Sequence, residues 1–356
     1  MARYAVTTWS NREGQEDLQA GLWTLEAGER LAVQPVPGSP DAVFWAERDP
    51  LDGTLLLLRS TEEDSALLRW DPRQEEVLAQ VAEGAQGGCY LAVAPDGRRL
   101  VVTAPPGGWS LFDSGPIGPV GPLGPTPRVP RLLAQHAGSG SGPHPRQERS
   151  HPHCGIVTAA GDTVLMADLG TDEILRAPLD PAGGFGPVQV VHRTAPGAGP
   201  RHIVPGDGVL HILCELDSTL ETVRVGQDGA LTRIARTSTV PEGYAGETWA
   251  AHLSASADGS RLYATNRGHD SIAIFDVDAQ GVPHRREIVP SGGAWPWFCL
   301  LVEGRPGQDA WLLVANNRSD EVTRFRVTGD GGLELVDAVP VPSPACIVAT
   351  AAATSG

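Results

Sequence analysis

Short runs of alternating apolar and polar residues recur along the chain, and they are joined in pairs by turns that contain glycine. One such pair runs from Gly199 to Glu215, and another runs from Trp249 to Arg267. Period-two runs around a glycine-containing turn are typical of antiparallel β-hairpins. A hairpin unit that repeats every few tens of residues indicates a solenoid, a propeller or an array.

The residue that ends the second run of each hairpin marks the repeat. These residues are Trp9, Ser60, Ala104, Asp168, Glu215, Asn266 and Asn317. They lie about 50 residues apart, with one longer interval before Asp168, which is the repeat length of a four-stranded blade. Seven such units account for the chain and predict a single all-β domain over residues 1–356.

The two ends of the chain complement each other. The first apolar run, Tyr4 to Trp9, has no inner run before it, and the run that starts at Ser343 has no second run after it. An open solenoid would end in capping repeats instead. We therefore predict a seven-bladed β-propeller with four-stranded antiparallel blades, closed by pairing of the N- and C-terminal segments. The C-terminal strand is expected innermost in the blade that the first residues begin.

The longer interval contains a segment rich in proline and glycine, at about residues 114–149. The composition predicts a flexible loop insertion, with a cover over the mouth of a pocket as the alternative interpretation.

The net charge of −16, with arginine as the only permanent cation, argues against a nucleic-acid partner. No apolar run is long enough for a membrane helix, so no membrane partner is expected. The first residues enter a predicted strand without a signal peptide, and we expect a monomeric, cytoplasmic protein. The five cysteines have no CxxC spacing, which favours reduced residues that pack in the core.

Antiparallel pairing places the start of each inner run and the end of the next run at the same height. Arg201 then stands opposite Glu215, and His153 stands opposite Asp168. If the first run of each hairpin is innermost, one mouth of the central channel gathers a set of mostly polar residues. The set is His151, His153, Asp168, Arg201, His202, Glu215, His252, Asn266, Arg267, Trp297 and Asn316. Polar groups that converge in a concavity are the usual first hypothesis for a site.

Several motifs within this set resemble those of the seven-bladed propeller lactonases, a family that includes propeller-type 6-phosphogluconolactonases and carboxymuconate lactonising enzymes. The motifs are Ser-His-Pro-His-Cys at 150–154, Gly-Pro-Arg-His at 199–202, Cys-Glu-Leu-Asp at 214–217 and Tyr-Ala-Thr-Asn-Arg-Gly-His-Asp at 263–270. The resemblance implies hydrolysis of a lactone or the related ring closure by an isomerase, on a small anionic substrate and without a cofactor. It places the family's site on His151, His153, Arg201, Glu215 and Arg267.

We assign catalysis and substrate binding to different members of this set. The catalytic candidates are His153, Glu215, Arg201 and Arg267. The substrate-binding candidates are His151, His202, His252, Asn266, Trp297 and Asn316. Either Glu215 or a histidine would activate water, and the arginines would hold an anionic group. No metal is expected, because the two histidines have no third ligand at a clear spacing.

Three departures from the family pattern matter. The first blade starts with Ser39-Pro40-Asp41 instead of an Asn-Pro-Ser-like sequence. This chain has His252 where the family often has glutamate, and Trp297 where it often has arginine. They predict a less charged or aromatic substrate.

Other interpretations stay open. Arg201 and Glu215 could form only a salt bridge at the rim, and Asp168, Asp172 and Asp270 could serve only turns and blade packing. The protein could also be a non-catalytic binding or scaffold propeller, or a family member recruited to another reaction in specialised metabolism.

Overall fold

The computed structural model describes residues 2–9, 21–60, 65–82, 84–104, 108–116, 120–121, 124–125, 128–180, 183–305 and 307–350. Within these ranges the chain forms 31 strands and no helix. The strands form seven sheets that are arranged as blades, and a separate two-stranded hairpin. The prediction of an all-β, seven-bladed propeller is confirmed.

The strands follow one another in chain order, and we number the blades from the first complete one. Blade 7 takes its three outer strands from the start of the chain: β1 (Ala2–Thr8), β2 (Leu22–Ala27) and β3 (Leu31–Pro35). Blade 1 consists of β4 (Val43–Arg48), β5 (Leu55–Ser60), β6 (Ser65–Asp71) and β7 (Glu76–Val81). Blade 2 begins with β8 (Tyr90–Val93), β9 (Arg99–Ala104) and β10 (Gly108–Asp113). The separate hairpin of β11 (Val120–Gly121) and β12 (Gly124–Pro125) follows, and β13 (Arg131–His136) then completes blade 2.

The remaining blades are continuous in sequence. Blade 3 comprises β14 (Pro152–Val157), β15 (Thr163–Asp168), β16 (Glu173–Asp180), β17 (Gly184–Phe185) and β18 (Gln189–Arg193). Blade 4 comprises β19 (Pro200–Pro205), β20 (Val209–Cys214), β21 (Thr219–Val225) and β22 (Leu231–Ser238). Blade 5 comprises β23 (Trp249–Ala255), β24 (Arg261–Arg267), β25 (Ser271–Val277) and β26 (Pro283–Pro290). Blade 6 comprises β27 (Pro296–Val302), β28 (Ala310–Asn316), β29 (Glu321–Val327) and β30 (Leu333–Pro340), and β31 (Pro344–Ala349) follows as the inner strand of blade 7.

The ring closes as the sequence predicts. Strand β31 pairs antiparallel with β1, so that Tyr4 faces Ala349 and Val6 faces Ile347. The sheet order β3-β2-β1-β31 makes the C-terminal strand innermost. Because β31 pairs with β1 in one blade, β1 is not left as an exposed sheet edge.

A β-bulge interrupts the inner hairpin of six of the seven blades in the described chain, at the same position each time. In blade 4, Pro200 pairs with Cys214 and His202 pairs with Leu213, so Arg201 is the extra residue. The extra residue is Phe44 in blade 1, His153 in blade 3, Trp297 in blade 6 and Ala345 in blade 7. Blade 5 has the same shift between Ala250 and Leu253. Bulges redirect side chains, and here they do so at the mouth of the channel.

Five side-chain rings fill the channel below the mouth. Each comes from the residue one position further along its inner strand than the residue at the mouth. Trp45, Tyr90, His202, His252 and Phe298 form a closed cycle of contacts, which we call the aromatic floor. Their ring centroids lie 4.6, 5.7, 4.4, 4.0 and 5.4 Å apart around the cycle. All five side chains are buried. The mouth is therefore a pocket with a floor rather than an open pore.

The proline- and glycine-rich insertion is more ordered than the sequence suggests, and the prediction of one flexible loop is wrong for two of its parts. Residues 131–136 form the outer strand of blade 2. Before them, Arg128 is buried and binds Asp49 at 2.6 Å, and Arg69 binds the same carboxylate at 2.9 Å. This ion cluster anchors the insertion, because buried charges require partners. Residues 117–119, 122–123 and 126–127 lie outside the described residues.

Removing residues 343–356 deletes the closing strand and should destabilise the whole ring. The deletion exposes the buried partners of Cys346, Ile347 and Val348. Burial of each such side chain is worth about 1.5–3 kcal/mol, so we expect a loss of at least ~5 kcal/mol. Thermal melting followed by circular dichroism measures it, with a chain that ends at Thr350 as the control. A truncated protein that melts like this control would contradict the role of closure.

Candidate functional site

Charged and imidazole side chains from blades 3, 4 and 5 converge at one mouth of the channel. The sequence predicts five of them, and a loop supplies a sixth. Together they form the mouth pocket, which consists of Arg146, His151, His153, Arg201, Glu215 and Arg267. His151 directly precedes β14, and His153 and Arg201 lie at the starts of β14 and β19. Glu215 directly follows β20, and Arg267 ends β24.

The backbone around β19 explains how Arg201 reaches the pocket. Gly199 adopts a φ of +65°, and a Cβ there would lie 2.6 Å from the Leu216 side chain, so only glycine fits. Pro200 then starts the strand, where a missing N–H is tolerated. The bulge directs the Arg201 side chain into the pocket. The sequence places Arg201 directly opposite Glu215, but Arg201 is the unpaired bulge residue, because simple antiparallel pairing does not allow for bulges.

Glu215 is the centre of the mouth pocket. Arg201 donates from Nε to its Oε2 at 2.7 Å, and Arg267 Nη2 lies 2.7 Å from the same oxygen without a well-aligned hydrogen bond. Arg146 donates to the other oxygen, Oε1. Arg201 also binds the carbonyl of Ala251, which joins blades 4 and 5. The Arg201–Glu215 pair is buried rather than a salt bridge on the exposed rim.

The guanidiniums determine the charge state of the pocket. Burial alone would raise the pKa of Glu215, but Arg267, Arg201 and Arg146 together hold that pKa well below its usual range. Burial lowers the pKa of Arg267 to about 10, so that side chain is still charged at neutral pH. Three cations surround one anion, and the pocket keeps a net positive charge in a protein of net charge −16. Such a pocket attracts small anions.

The two histidines of the pocket are neutral. Their rings are parallel, with centroids 5.8 Å apart. Burial lowers the pKa of His153 well below its usual value, and the charge of Arg201 lowers it further. Burial also lowers the pKa of His151, to about 4, and Arg146 contributes in the same direction. Nδ1 of His153 is buried and has no hydrogen-bond partner among the described residues. Neutral imidazoles of this kind can accept a proton during a reaction.

Arg146 is the member of the pocket that sequence reasoning missed. It belongs to residues 137–149, the second half of the insertion, which we call the mouth loop. Buried Gln147 fixes this loop, because its side-chain amide donates to Leu169 O and to Asp172, each at 2.7 Å. The Arg146 guanidinium also lies 4.9 Å from the ring of Trp249. The mouth loop therefore contributes a side chain to the pocket, and its role as a cover stays a prediction.

Trp297 lies beside the pocket within a second group of side chains. The Arg267 guanidinium stands 4.8 Å from its ring centroid. Trp297 also packs against Trp9 and Phe44, with centroids 5.9 Å from each. We call Trp9, Phe44 and Trp297 the aromatic wall. Of these three residues, the sequence singled out Trp297 alone as a site residue, while Trp9 marked only the end of the first run.

The other predicted binding residues lie elsewhere. His202 and His252 belong to the aromatic floor, where His202 Nδ1 accepts the Leu253 amide at 3.1 Å. Asn266 binds Thr239 and Ser271 within its own part of the ring. Asn316 donates to Thr323 at 2.9 Å. These two amides hold strand ends and blade connections together rather than facing the pocket.

The aspartates that follow the strands serve the backbone, as the alternative interpretation predicts. Asp168 accepts the His151 and Gly170 amides at 2.7 and 2.9 Å. Asp172 accepts the amides of Gly197 and Gly199, which positions the start of β19. Asp270 accepts the amides of Gly268 and Trp295. Asp172 and Asp270 both have positive φ, a turn conformation that Asp tolerates.

The cysteines do not contribute a nucleophile. All five are free, and four of them are buried. Burial raises the pKa of the Cys89 and Cys154 thiols to about 12 and about 11. Since the thiolate is the reactive form, these residues pack and do not react.

The described part of the chain has neither a cluster of metal-ligand side chains nor a membrane-spanning helix. No cluster of three or more His, Cys, Asp or Glu side chains suits a metal ion there. No helix within the same ranges is long and apolar enough to span a membrane.

Fold and site together define a seven-bladed propeller with a basic, imidazole-containing pocket at one mouth of its channel. The sequence profile of the family described as "Lactonase, 7-bladed beta-propeller" matches residues 45–349. The chain belongs to this family, and the resemblance seen in the sequence is confirmed.

Known relatives agree with this assignment. A Staphylococcus saprophyticus protein of uncharacterised function is 31% identical over 265 residues, which cover 72% of each chain. The 6-phosphogluconolactonase of Bacillus subtilis is 30% identical over 221 residues, or 60% of this chain and 62% of that protein, less than two thirds of its length. A solved structure, the periplasmic gluconolactonase of Pseudomonas aeruginosa, superposes with a TM-score of 0.79 at 23% identity, over 98% of this chain and all of that one. This last likeness concerns the fold alone.

Replacing Arg146 by alanine should raise the pKa of His151 above its value of about 4. The Arg146 charge disfavours the imidazolium, so its removal, with greater access of water, favours protonation. Titration of the imidazole by ¹H–¹⁵N NMR measures the change. Arg193→Ala, another exposed arginine of blade 3, is the control and should leave His151 unchanged. An unaltered His151 pKa in Arg146→Ala would show that the mouth loop does not determine the field in the pocket.

Proposed function

We propose that the protein is a lactone hydrolase that acts on a small anionic lactone at the mouth pocket. The observation that carries this proposal is the convergence of three guanidiniums and two neutral histidines on one floored concavity. Family membership and the name of the Bacillus subtilis relative support the same reaction class. The expectations of a monomer and of a cytoplasmic location stay predictions.

The arginines would bind the anionic group of the substrate. Each guanidinium has five N–H donors, and Glu215 and backbone carbonyls occupy only some of them. Arg146 is the most accessible of the three, with 44% of its side chain exposed. It can therefore meet an incoming anion first, while buried Arg201 and Arg267 present donors deeper in the pocket.

His153 is the residue that we assign to water activation. The neutral imidazole takes a proton from water, and the water oxygen attacks the lactone carbonyl carbon. The guanidiniums stabilise the oxyanion that forms. When the bond between the carbonyl carbon and the ring oxygen breaks, the imidazolium returns its proton to that oxygen. The product is the ring-opened hydroxy acid.

Glu215 is better suited to positioning than to proton transfer. Both of its oxygens are engaged by guanidiniums, so neither is free to take a proton from water, whereas Nδ1 of His153 has no partner among the described residues. Of the two water-activating groups that the sequence suggests, the geometry thus favours the histidine. Glu215 would hold Arg146, Arg201 and Arg267 at the distances that anion binding requires.

The catalytic test replaces His153 by glutamine and measures hydrolysis of anionic lactones, 6-phosphoglucono-δ-lactone first. Loss of the general base should lower kcat by about 10²–10⁴-fold with a smaller effect on KM. His211→Gln, at another buried histidine outside the pocket, is the matched control. Full kcat/KM in His153→Gln would remove this residue from the mechanism. A wild-type protein that turns over no lactone would instead favour the non-catalytic binding propeller.

Glu215→Gln should raise KM for the anionic lactone more than it lowers kcat, because the arginines lose the anion that positions them. It should also lower the melting temperature, since unpaired buried cations are costly. Glu221→Gln is the control, because Glu221 is an equally buried carboxylate of blade 4 that binds His192. A normal KM in Glu215→Gln with a large loss of kcat would restore Glu215 as the proton-transferring group.

The pH dependence follows from the lowered pKa of His153. A base works in its neutral form, and a lowered pKa keeps this form present well below the usual imidazole value of about 6.5. We expect kcat/KM to stay level as the pH falls through that value, and to decline only when the pH reaches the pKa of the folded state. Initial rates across the acidic range measure this. A decline centred on the ordinary imidazole pKa would contradict a buried base.

A further inference from the structure

The bulge residues of five blades divide into a polar half and an apolar half. Blades 3 and 4 contribute the polar half, His153 and Arg201. Blades 6, 7 and 1 contribute the apolar half, Trp297, Ala345 and Phe44. Trp9 stands against this second half, with its ring centroid 4.9 Å from that of Phe44. The catalytic and anion-binding groups proposed above therefore occupy only one side of the mouth.

Trp297 packs against the core, as Trp9 and Phe44 do, but its indole N–H is unpaired in the described part of the chain. The Trp9 indole donates to Ser60 O at 3.2 Å and so ties blade 7 to blade 1. Nε1 of Trp297, in contrast, has no hydrogen-bond partner among the described residues, and the side chain is only half-buried. A tryptophan placed this way, beside a pocket, is typical of a contact with a ligand.

Arg267 joins the two halves. Its guanidinium lies at the Glu215 carboxylate on one side and over the Trp297 ring on the other. A molecule that places its anionic group among the arginines has the aromatic wall next to its remaining atoms. A flat aromatic ring in that place gains burial and ring–ring stacking against the indole, which a saturated lactone of the same size cannot match.

We infer that the substrate of the proposed lactonase is an anionic lactone that carries an aromatic or other flat apolar ring, and that Trp297 selects it. This inference rests on the proposed function. It assigns the anionic group to the arginines of the mouth pocket and the apolar ring to the aromatic wall.

A matched pair of lactones tests the inference. Phthalide carboxylate is a benzo-fused γ-lactone, and γ-butyrolactone carboxylate is its non-aromatic counterpart, with the carboxylate on the carbon bonded to the ring oxygen in both. For each, kcat/KM is divided by the lactone's own rate of hydrolysis by hydroxide. The ratio of interest is the normalised kcat/KM of the aromatic lactone divided by that of the non-aromatic one. For the wild-type protein this ratio should be at least about ten, which one aromatic contact can supply. Trp297→Leu should bring the ratio to within about twofold, whereas Trp311→Leu should not. Trp311 is a fitting control because it lies in the same blade under Arg324, with the guanidinium 4.6 Å from its ring.

The outcomes separate this inference from the proposed function. Turnover of both lactones with a ratio near one, or with a ratio that Trp297→Leu leaves unchanged, overturns the inference and leaves the lactonase intact. If neither lactone is turned over, the aromatic wall is tested by binding instead. Calorimetry then measures the binding of the ring-opened products, carboxymandelate and hydroxyglutarate. Tighter binding of carboxymandelate that depends on Trp297 supports the aromatic wall as a binding surface. Equal binding of the two acids overturns it.

Discussion

Strand β31 pairs with β1 across almost the whole length of the chain, and this ladder turns seven hairpin units into a ring. The chain entropy lost on closing a loop grows only with the logarithm of its length, so joining ends some 340 residues apart costs only ~2 kcal/mol more than closing one blade. Closure surrounds one channel with seven inner strands whose bulges lie at one mouth. The backbone is nearly the same in each blade, so the chemistry of the mouth depends on which residue occupies the bulge: His153 and Arg201 on one side, Trp297 and Phe44 on the other.

Within the mouth, the Glu215 carboxylate holds the surrounding side chains together, as strand β31 holds the ring together. Buried cations in proximity repel one another and lose hydration, and a shared anion offsets both costs. Glu215 is contacted by guanidiniums from blade 4, blade 5 and the mouth loop, so it connects parts of the chain that no backbone ladder joins. Burial is the main cause of the lowered pKa values of His151 and His153, and the nearby arginine charges lower both further against the opposing effect of Glu215. The same arrangement thus attracts an anion and keeps the neighbouring imidazoles neutral.

The repeat, the number of blades and the closing strand could be predicted from the sequence, because hairpins are local and their polarity has a period of two. The pairing of Arg201 with Glu215 was also within reach, since both belong to one hairpin. The bulges were not, because an extra residue leaves the apolar pattern of a short strand almost unchanged. Arg146 was beyond prediction because its position depends on Gln147 and Asp172, a contact between the insertion and blade 3. Asn266 and Asn316 lie near the right height but turn toward their own blades, and height along a strand does not specify that direction.

The aromatic floor imposes a further condition on any reaction at this mouth. Because five rings fill the channel directly below the bulged residues, substrate, water and product must all pass the mouth loop and the aromatic wall. In the proposed reaction, ring opening creates a new carboxylate, which the arginines of the mouth pocket would attract as they attract the substrate. Arg146 is the most exposed of the three guanidiniums, and it pairs with Glu215 in the free protein. Exchange of Arg146 between Glu215 and the product carboxylate would then release the product without movement of the blades.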